Sequence, residues 1–320
     1  MAPSAPVPCR VVADVGGTNT RIALFDPSSG EFRALSSYVN REHHSLEDIF
    51  EQWLRALPGP TPDQCCLAVA APPSGDRVVM VNIDWSFSCR ELAERFGFSL
   101  LRRINDFQAN AYALPHLGDT GRQLLHPGRA EGQDRLATLG PGTGLGGAIL
   151  QRGAGPELSH ACEPGHMGLS PGTELELELF RLLLPRHGNI NAELLVSGPG
   201  LRRLYLALGE ISDEPTGEWT PAEISRRAIA GQEPLCTAAL DSFCALLGSA
   251  CGDFLLANGT YGGLYLAGGI VPRMIPYLLN SSFHQRLIEK GEMADHLQKV
   301  PVFAITADHP GLVGAAHAPL

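Results

Sequence analysis

The chain has 320 residues, 44% hydrophobic content and a formal net charge of −10. This apolar content supports a sizeable core, and the length allows two domains; a disordered chain is excluded. The acidic balance, with no basic stripe, excludes a nucleic-acid binder, so a phosphate-rich ligand would have to be met by backbone N–H groups and a metal ion.

"RVVADV" (10–15) reads as a strand, "GGTN" as a turn and "TRIALFD" (20–26) as a second strand. "SLEDIFEQWLRAL" (45–57) has apolar residues at helical spacing and opens on a serine. "QCCLAVAA" (64–71) is a buried strand, and "SCRELAERFG" (88–97) a helix capped by Ser88 and stopped by glycine. "SLLRRIND" (99–106) is a strand ending at an aspartate, with a helix from "FQANAYALPHL" just beyond it. The second half repeats strand, Gly/Thr turn, strand over 135–153. Helices follow at 173–188 and 233–259, the latter with a possible break near Gly248. A strand in 260–270 runs into a helix at "VPRMIPYLLN"; "VPVFAIT" (300–306) is a strand and "GLVGAAHA" (311–318) a closing helix. Strands mixed with helices in this order indicate an α/β fold, and the two strand–turn–strand copies suggest duplicated halves.

Eight cysteines, at 9, 65, 66, 89, 162, 236, 244 and 251, form no CxxC pair and no zinc-like Cys/His spacing, so they read as buried thiols of a reducing cytosol. "MAPSAPVP" lacks the features of a signal peptide, and no uninterrupted apolar run reaches the ~18 residues of a membrane span. The expectation is a cytoplasmic protein with a flexible tail over residues 1–9.

A hairpin alone would explain Gly16–Gly17–Thr18–Asn19, since Gly and Asn supply positive φ. The other reading is a nest of backbone N–H groups facing an anion, aided by the Thr18 hydroxyl. No GK[ST] follows, and a strand stands where a dinucleotide fingerprint needs a helix, so neither familiar phosphate motif applies. The second turn, "GPGTGLGG" (140–147), and Gly268–Gly269 at a strand end favour a nucleotide contacted by three glycine elements.

These segments carry a resemblance. "DVGGTNTR", "GPGTGLGG" and "LAGGIVPR" resemble the two phosphate segments and the adenosine segment of actin-like sugar kinases. "INDFQANAYALP", "EPGHMGLSP", "AELLVSGPGL" and "DHPGLVGAAH" resemble the bacterial-type glucokinase family, in family order from about residue 10 to the C-terminus. The resemblance implies an actin-like ATPase (ribonuclease-H-like) α/β fold with two domains around a cleft. The smaller would comprise residues 10–116 plus 303–320, the larger residues 117–302. It implies ATP-dependent phosphorylation of D-glucose to glucose 6-phosphate, with closure excluding water. Ala13, Asp14, Val15, Gly16, Gly17, Thr18, Asn19, Thr20, Gly142, Thr143, Gly144, Gly268 and Gly269 would bind ATP, and Asp14 would hold Mg²⁺ through water.

Asp106 matches the family's catalytic base; a carboxylate can take the proton of a sugar hydroxyl as the phosphoryl group transfers, and a normal or slightly raised pKa suffices. Helix capping is the competing reading of Asn105 and Asp106. Asn105, Glu163, His166 and Glu193 match sugar-binding positions, alongside Asp106. The alternatives are an exposed turn for Glu163–His166 and a solvated helix position for Glu193. Asn82 and Asp84 lie near where the family approaches the sugar. The cysteines of the related zinc-bearing repressor/kinase branch are missing after "EPGH", which places the chain in the zinc-free branch, and Pro164 replaces the commoner glycine. The resemblance also implies a homodimer. Three other readings differ in their tests: a relaxed hexokinase for mannose, fructose or glucosamine; a sugar-sensing regulator; and a chaperone-type ATPase. Nine residues before Arg10 speak against the helix-turn-helix of a regulator, and a chaperone-type ATPase leaves "EPGH" without a purpose.

Overall fold

The computed structural model describes residues 9–71, 75–80, 83–130 and 134–320. Two units pack separately: residues through Gly118 with Ala154–Ala161 and Ala307–Leu320, and Asp119–Gly153 with Cys162–Thr306.

The first unit is built on β1 (Arg10–Val15), β2 (Asn19–Asp26), β3 (Glu31–Val39), α1 (Leu46–Ala56), β4 (Gln64–Val69), the hairpin β5 (Arg77–Val79) and β6 (Ser86–Ser88), α2 (Cys89–Phe96), β7 (Leu100–Asn105) and α3 (Asp106–Ala113). Its sheet has the order β3-β2-β1-β4-β7, antiparallel among the first three strands and parallel among the last three. Val11, Ala13 and Val15 alternate onto the face covered by Leu46, Ile49, Phe50 and Trp53 of α1. Val12 on the other face is equally buried. Strands covered on both faces read as continuous apolar runs, which is why β1 and β4 are plain in the sequence. Ser45 caps α1 by accepting from the Asp48 N–H; Ser88 caps α2, and Gly97 closes it at φ 76°.

The second unit contains β8 (Arg122–His126), β9 (Arg135–Pro141) and β10 (Leu145–Gln151). β11 (Leu158–Cys162) spans the boundary between the units. There follow α4 (Glu174–His187), α5 (Ala192–Leu195), α6 (Gly198–Ser212), α7 (Pro221–Ile229), α8 (Pro234–Asn258), β12 (Gly263–Leu266), α9 (Ile275–Asn280), α10 (Phe283–Ile288), α11 (Ala294–Leu297) and β13 (Val302–Ile305). The strand order β10-β9-β12-β13 repeats β2-β1-β4-β7: an antiparallel hairpin, then two parallel strands. The closing helix α12 (Pro310–His317) packs in the first unit against α3, where Gly314 lies so close to the Ala109 carbonyl that no side chain would fit.

The break expected near Gly248 does not occur; α8 runs unbroken over 25 residues. Gly248 and Gly252 lie against the Phe283 and Leu287 carbonyls of α10, where a Cβ would collide. They are there for a close helix crossing. By length and composition α8 could cross a membrane, yet 83% of its apolar window is buried, as befits the central helix of a core. Residues 1–8, which hold nearly all of the expected tail, lie outside the described residues, as does Asn82.

Candidate active site

The first glycine turn joins β1 to β2, with Val15 opposite Thr20. It is closed by the Gly16 N–H donating to the Asn19 carbonyl at 3.0 Å. None of its residues has positive φ, so the glycines are not there for handedness; a Cβ on Gly16 would stand 3.3 Å from the Asn19 carbonyl oxygen. Thr18 is exposed, and among the described residues the N–H groups of Gly17 and Thr18 have no acceptor. Donors left over at an exposed turn are what an anion nest needs. Ala13, Val15 and Thr20 are fully buried behind the turn. The Thr20 hydroxyl donates to the Asn40 side chain at 2.8 Å.

Asp14 stands at the end of β1, with the Arg21 guanidinium 3.6 Å from its carboxylate and Gly311 of α12 packed close. Burial raises its pKa, while the positive charges of Arg21 and His309 pull it down. Asp106 occupies the first position of α3. Its carboxyl is pushed up to about 6, first by burial; the Phe107 N–H opposes this and the Asp14 charge adds to it. Asn105 realises the capping reading in full. Its Oδ1 accepts from the N–H groups of Phe107 (2.9 Å) and Gln108 (3.4 Å), and Gln108 Oε1 accepts from the Asn105 N–H at 3.1 Å. Asn105 Nδ2 donates to the Ala71 carbonyl at 3.3 Å and also hydrogen-bonds the Asp106 carboxylate. Asp84 is exposed.

In the second unit the sequence candidates converge. Glu163–Pro164–Gly165–His166 forms a 3-10 turn with Pro164 and Gly165 buried and Glu163 and His166 exposed, and neither the Glu163 nor the His166 side chain has a hydrogen-bond partner among the described residues. Glu193 is not a solvated helix residue. Its Oε2 accepts from the Leu145 N–H at 2.8 Å, and a Cβ on Gly165 would stand 3.1 Å from that oxygen. Any side chain on Gly144 would collide with the same carboxylate. Glu193 therefore ties the turn between β9 and β10 to the Glu163–His166 turn. The Ala192 N–H reinforces this, donating to the Met167 carbonyl at 2.9 Å. Pro164 is buried, its ring packed on Gly147 of β10.

Gly142, Thr143 and Gly144 close the second hairpin, with the Gly142 N–H donating to Gly144 and the Gly198 N–H of α6 donating to Gly142, both at 2.8 Å. Gly268 has φ +86° and lies against the Pro141 carbonyl, so only glycine fits there. Beside this turn opens a cavity of about 730 Å³, with Gly142 and Thr143 at one wall and Gly198, Pro199 and Ile270 at another. Pro221, Ser225 and Arg226 from the α7 segment and Arg273 complete it. Such a volume suits a nucleoside. The sequence marks the glycine rim but not the α7 wall, which looks like an ordinary surface helix; Ser197 two residues before Pro199 does signal the α6 start. Asn40 was missed as well, and nothing around it in the sequence marks it.

The glucokinase family profile matches residues 11–319. The chain is 38% identical over 308 residues to a glucokinase of Caulobacter sp. (strain K31), covering 96% of this chain and 93% of that one. A solved glucokinase from an Antarctic psychrotroph superposes with a TM-score of 0.89 at 38% identity, over 97% of this chain and 98% of the other. A ROK family glucokinase from Streptomyces griseus, in complex with glucose and AMPPNP, gives a TM-score of 0.63 at 20% identity, over 96% and 98%. That last likeness is one of fold: the actin-like ATPase fold of sugar kinases.

Proposed function

Because the chain belongs to the glucokinase family and transfers a phosphoryl group from ATP to D-glucose, we propose that Asp106 is the general base of that reaction. The observation that carries this is a carboxyl at the start of α3 whose pKa is held near 6, mainly by burial. A base with that pKa is ionised at neutral pH yet basic enough to share the proton of the sugar's 6-hydroxyl as its oxygen attacks the γ-phosphorus. The proton goes to Asp106, and the bond to the bridging oxygen of ADP breaks. Asn105 orients the start of α3 by capping it and is assigned to a sugar hydroxyl beside Asp106, whose carboxylate its side chain also meets.

Glu163, His166 and Glu193 are assigned to sugar hydroxyls. The first two have side chains without a hydrogen-bond partner among the described residues, and Glu193 keeps Oε1 for the sugar while Oε2 holds Leu145. A site that pairs each hydroxyl disfavours sugars lacking one, since its own groups are then left unpaired. The N–H groups of Gly17 and Thr18, which have no acceptor among the described residues, together with Asp14, Gly16 and Asn19, are assigned to the phosphates of ATP. Gly142, Thr143 and Gly144 are assigned to the phosphates as the second phosphate segment, and Gly268 and Gly269 to the nucleoside, which would occupy the cavity beside them.

Asp14 suits Mg²⁺: burial leaves its carboxylate under-compensated, and the ion binds through one or two carboxylates while keeping several waters. When bound, the ion neutralises charge on the phosphates. The homodimer and the cytoplasmic residence implied by the family resemblance complete the proposal.

The test is ADP release by the purified protein with MgATP and a panel of glucose, mannose, fructose and glucosamine, beside Asp106→Ala. Glucose-dependent turnover that falls by ~10² or more in the variant supports the assignment. Equal rates on all four sugars would indicate the relaxed hexokinase. Turnover unaffected by loss of Asp106 would remove it as the base.

A further inference from the structure

We propose that Asn40 is a positioning residue for the phosphate donor, setting the first glycine turn so that its N–H groups face the phosphates. This rests on the assignment of that turn to ATP. Asn40 is completely buried and grips the turn at three points. Its Nδ2 donates to the Gly16 carbonyl at 2.8 Å. Its Oδ1 accepts from the Thr20 hydroxyl at 2.8 Å. Its own backbone N–H donates to the Thr18 carbonyl at 2.9 Å. The side chain thus uses donor and acceptor at once, which only a carboxamide of this length does here.

The consequence follows from the planar trans peptide, in which a carbonyl and the next residue's N–H point in opposite directions. Drawing the Gly16 carbonyl toward Asn40 turns the Gly17 N–H away from it. Drawing the Thr18 carbonyl the same way turns the Asn19 N–H away. Asn40 therefore polarises the loop, carbonyls inward and N–H groups outward. Without its side chain the Gly16–Gly17 peptide plane is free to rotate and present a carbonyl oxygen to the phosphates, while the Thr18 carbonyl keeps the backbone N–H of residue 40. The Thr20 hydroxyl belongs to the same device, acting through Asn40 and not on the ligand.

The experiment measures KM for ATP, KM for glucose, ATP-independent glucose binding by calorimetry, and the unfolding temperature, for Asn40→Ala, Thr20→Val and Thr20→Ser. The expected result is a KM for ATP raised ~10-fold or more in Asn40→Ala. Thr20→Val, which removes one bond and no volume, should rise ~3- to 10-fold and Thr20→Ser should recover, with glucose binding unchanged throughout. If Asn40→Ala does not fold, the Thr20 pair decides by the same criteria. Folded variants with an unchanged KM for ATP, or with ATP and glucose affected alike, overturn the proposal. Gly17→Asp, which puts a negative charge into the turn, separates the two levels. If it too leaves the KM for ATP unchanged, the turn is not the phosphate site and the functional assignment fails first; if it raises that KM while Asn40→Ala does not, only the role of Asn40 fails.

Discussion

Replacing Asp106 by asparagine should impair the enzyme and stabilise the protein, and both effects come from the same half-buried charge. Asparagine has the same shape and still accepts the Phe107 N–H, so the change removes little but the ionisable group. The folded pKa is about 6 against a reference of 3.8. A carboxyl whose folded pKa is raised binds its proton more tightly in the folded state. Its contribution to stability is therefore fully present below the unfolded value and is lost as pH rises through about 6. At pH 8 the ionised group costs up to about 3 kcal/mol, and at pH 5 about half of that. Asp106→Asn should recover this difference, shrinking as the pH falls. Urea unfolding of the pair at pH 5 and pH 8 measures it. Activity should fall by ~10²–10⁴. The wild-type kcat/KM should rise with pH through about 6 and level off above it, and at pH 5 only about 9% of the base is ionised. An equal stability change at both pH values, or a rate profile flat between them, would refute the reasoning.

Three further outcomes follow from the second unit. Glu163→Gln or His166→Ala should raise KM for glucose ~10- to 100-fold while leaving KM for ATP within ~3-fold, as loss of hydrogen bonds to one substrate only requires; steady-state kinetics with each substrate varied reads this. Ser225→Trp should fill the cavity and raise KM for ATP by ~10-fold or more, with glucose binding by calorimetry unchanged. Arg286 and Glu176 form a buried ion pair at 2.7 Å, so Arg286→Met alone should cost ~3–5 kcal/mol in denaturant unfolding, whereas the double variant with Glu176→Leu should recover most of it.

Much of the scaffold was legible because local chemistry and the final fold agree. The β1–turn–β2 and β9–turn–β10 units show as apolar runs broken by Gly and Thr. Ser88 and Gly97 bound α2 as cap preferences require. Elsewhere tertiary context prevailed. Gly248 lowers helix propensity on its own, yet a neighbouring helix makes a side chain there impossible. β3 was not legible, since "EFRALSSYV" is largely exposed and lacks a two-residue alternation. Asn105 and Asp106 had competing readings as cap and as catalytic pair. The structure separates the two tasks: Asn105 caps the helix with its carboxamide, while Asp106 remains a half-buried carboxyl of raised pKa.

The two glycine turns show where the limit of sequence reading lies. Both join antiparallel strands and both use Gly and Thr, so their likeness is a local property that a string of residues displays. What holds each in shape is not local. The first is held by a buried side chain twenty positions on, through Asn40 and Thr20. The second is held by the Gly198 N–H at the start of a helix and by Glu193, whose carboxylate rests against Gly144 and Gly165. A turn that must bind an anion can spare few of its own N–H groups for its own carbonyls: one such bond closes each copy here, and the other N–H groups are reserved for the ligand. Its remaining carbonyls must find donors elsewhere in the chain. A duplicated turn can therefore keep its glycines while each copy recruits a different brace, and the brace is the part that only the folded protein reveals.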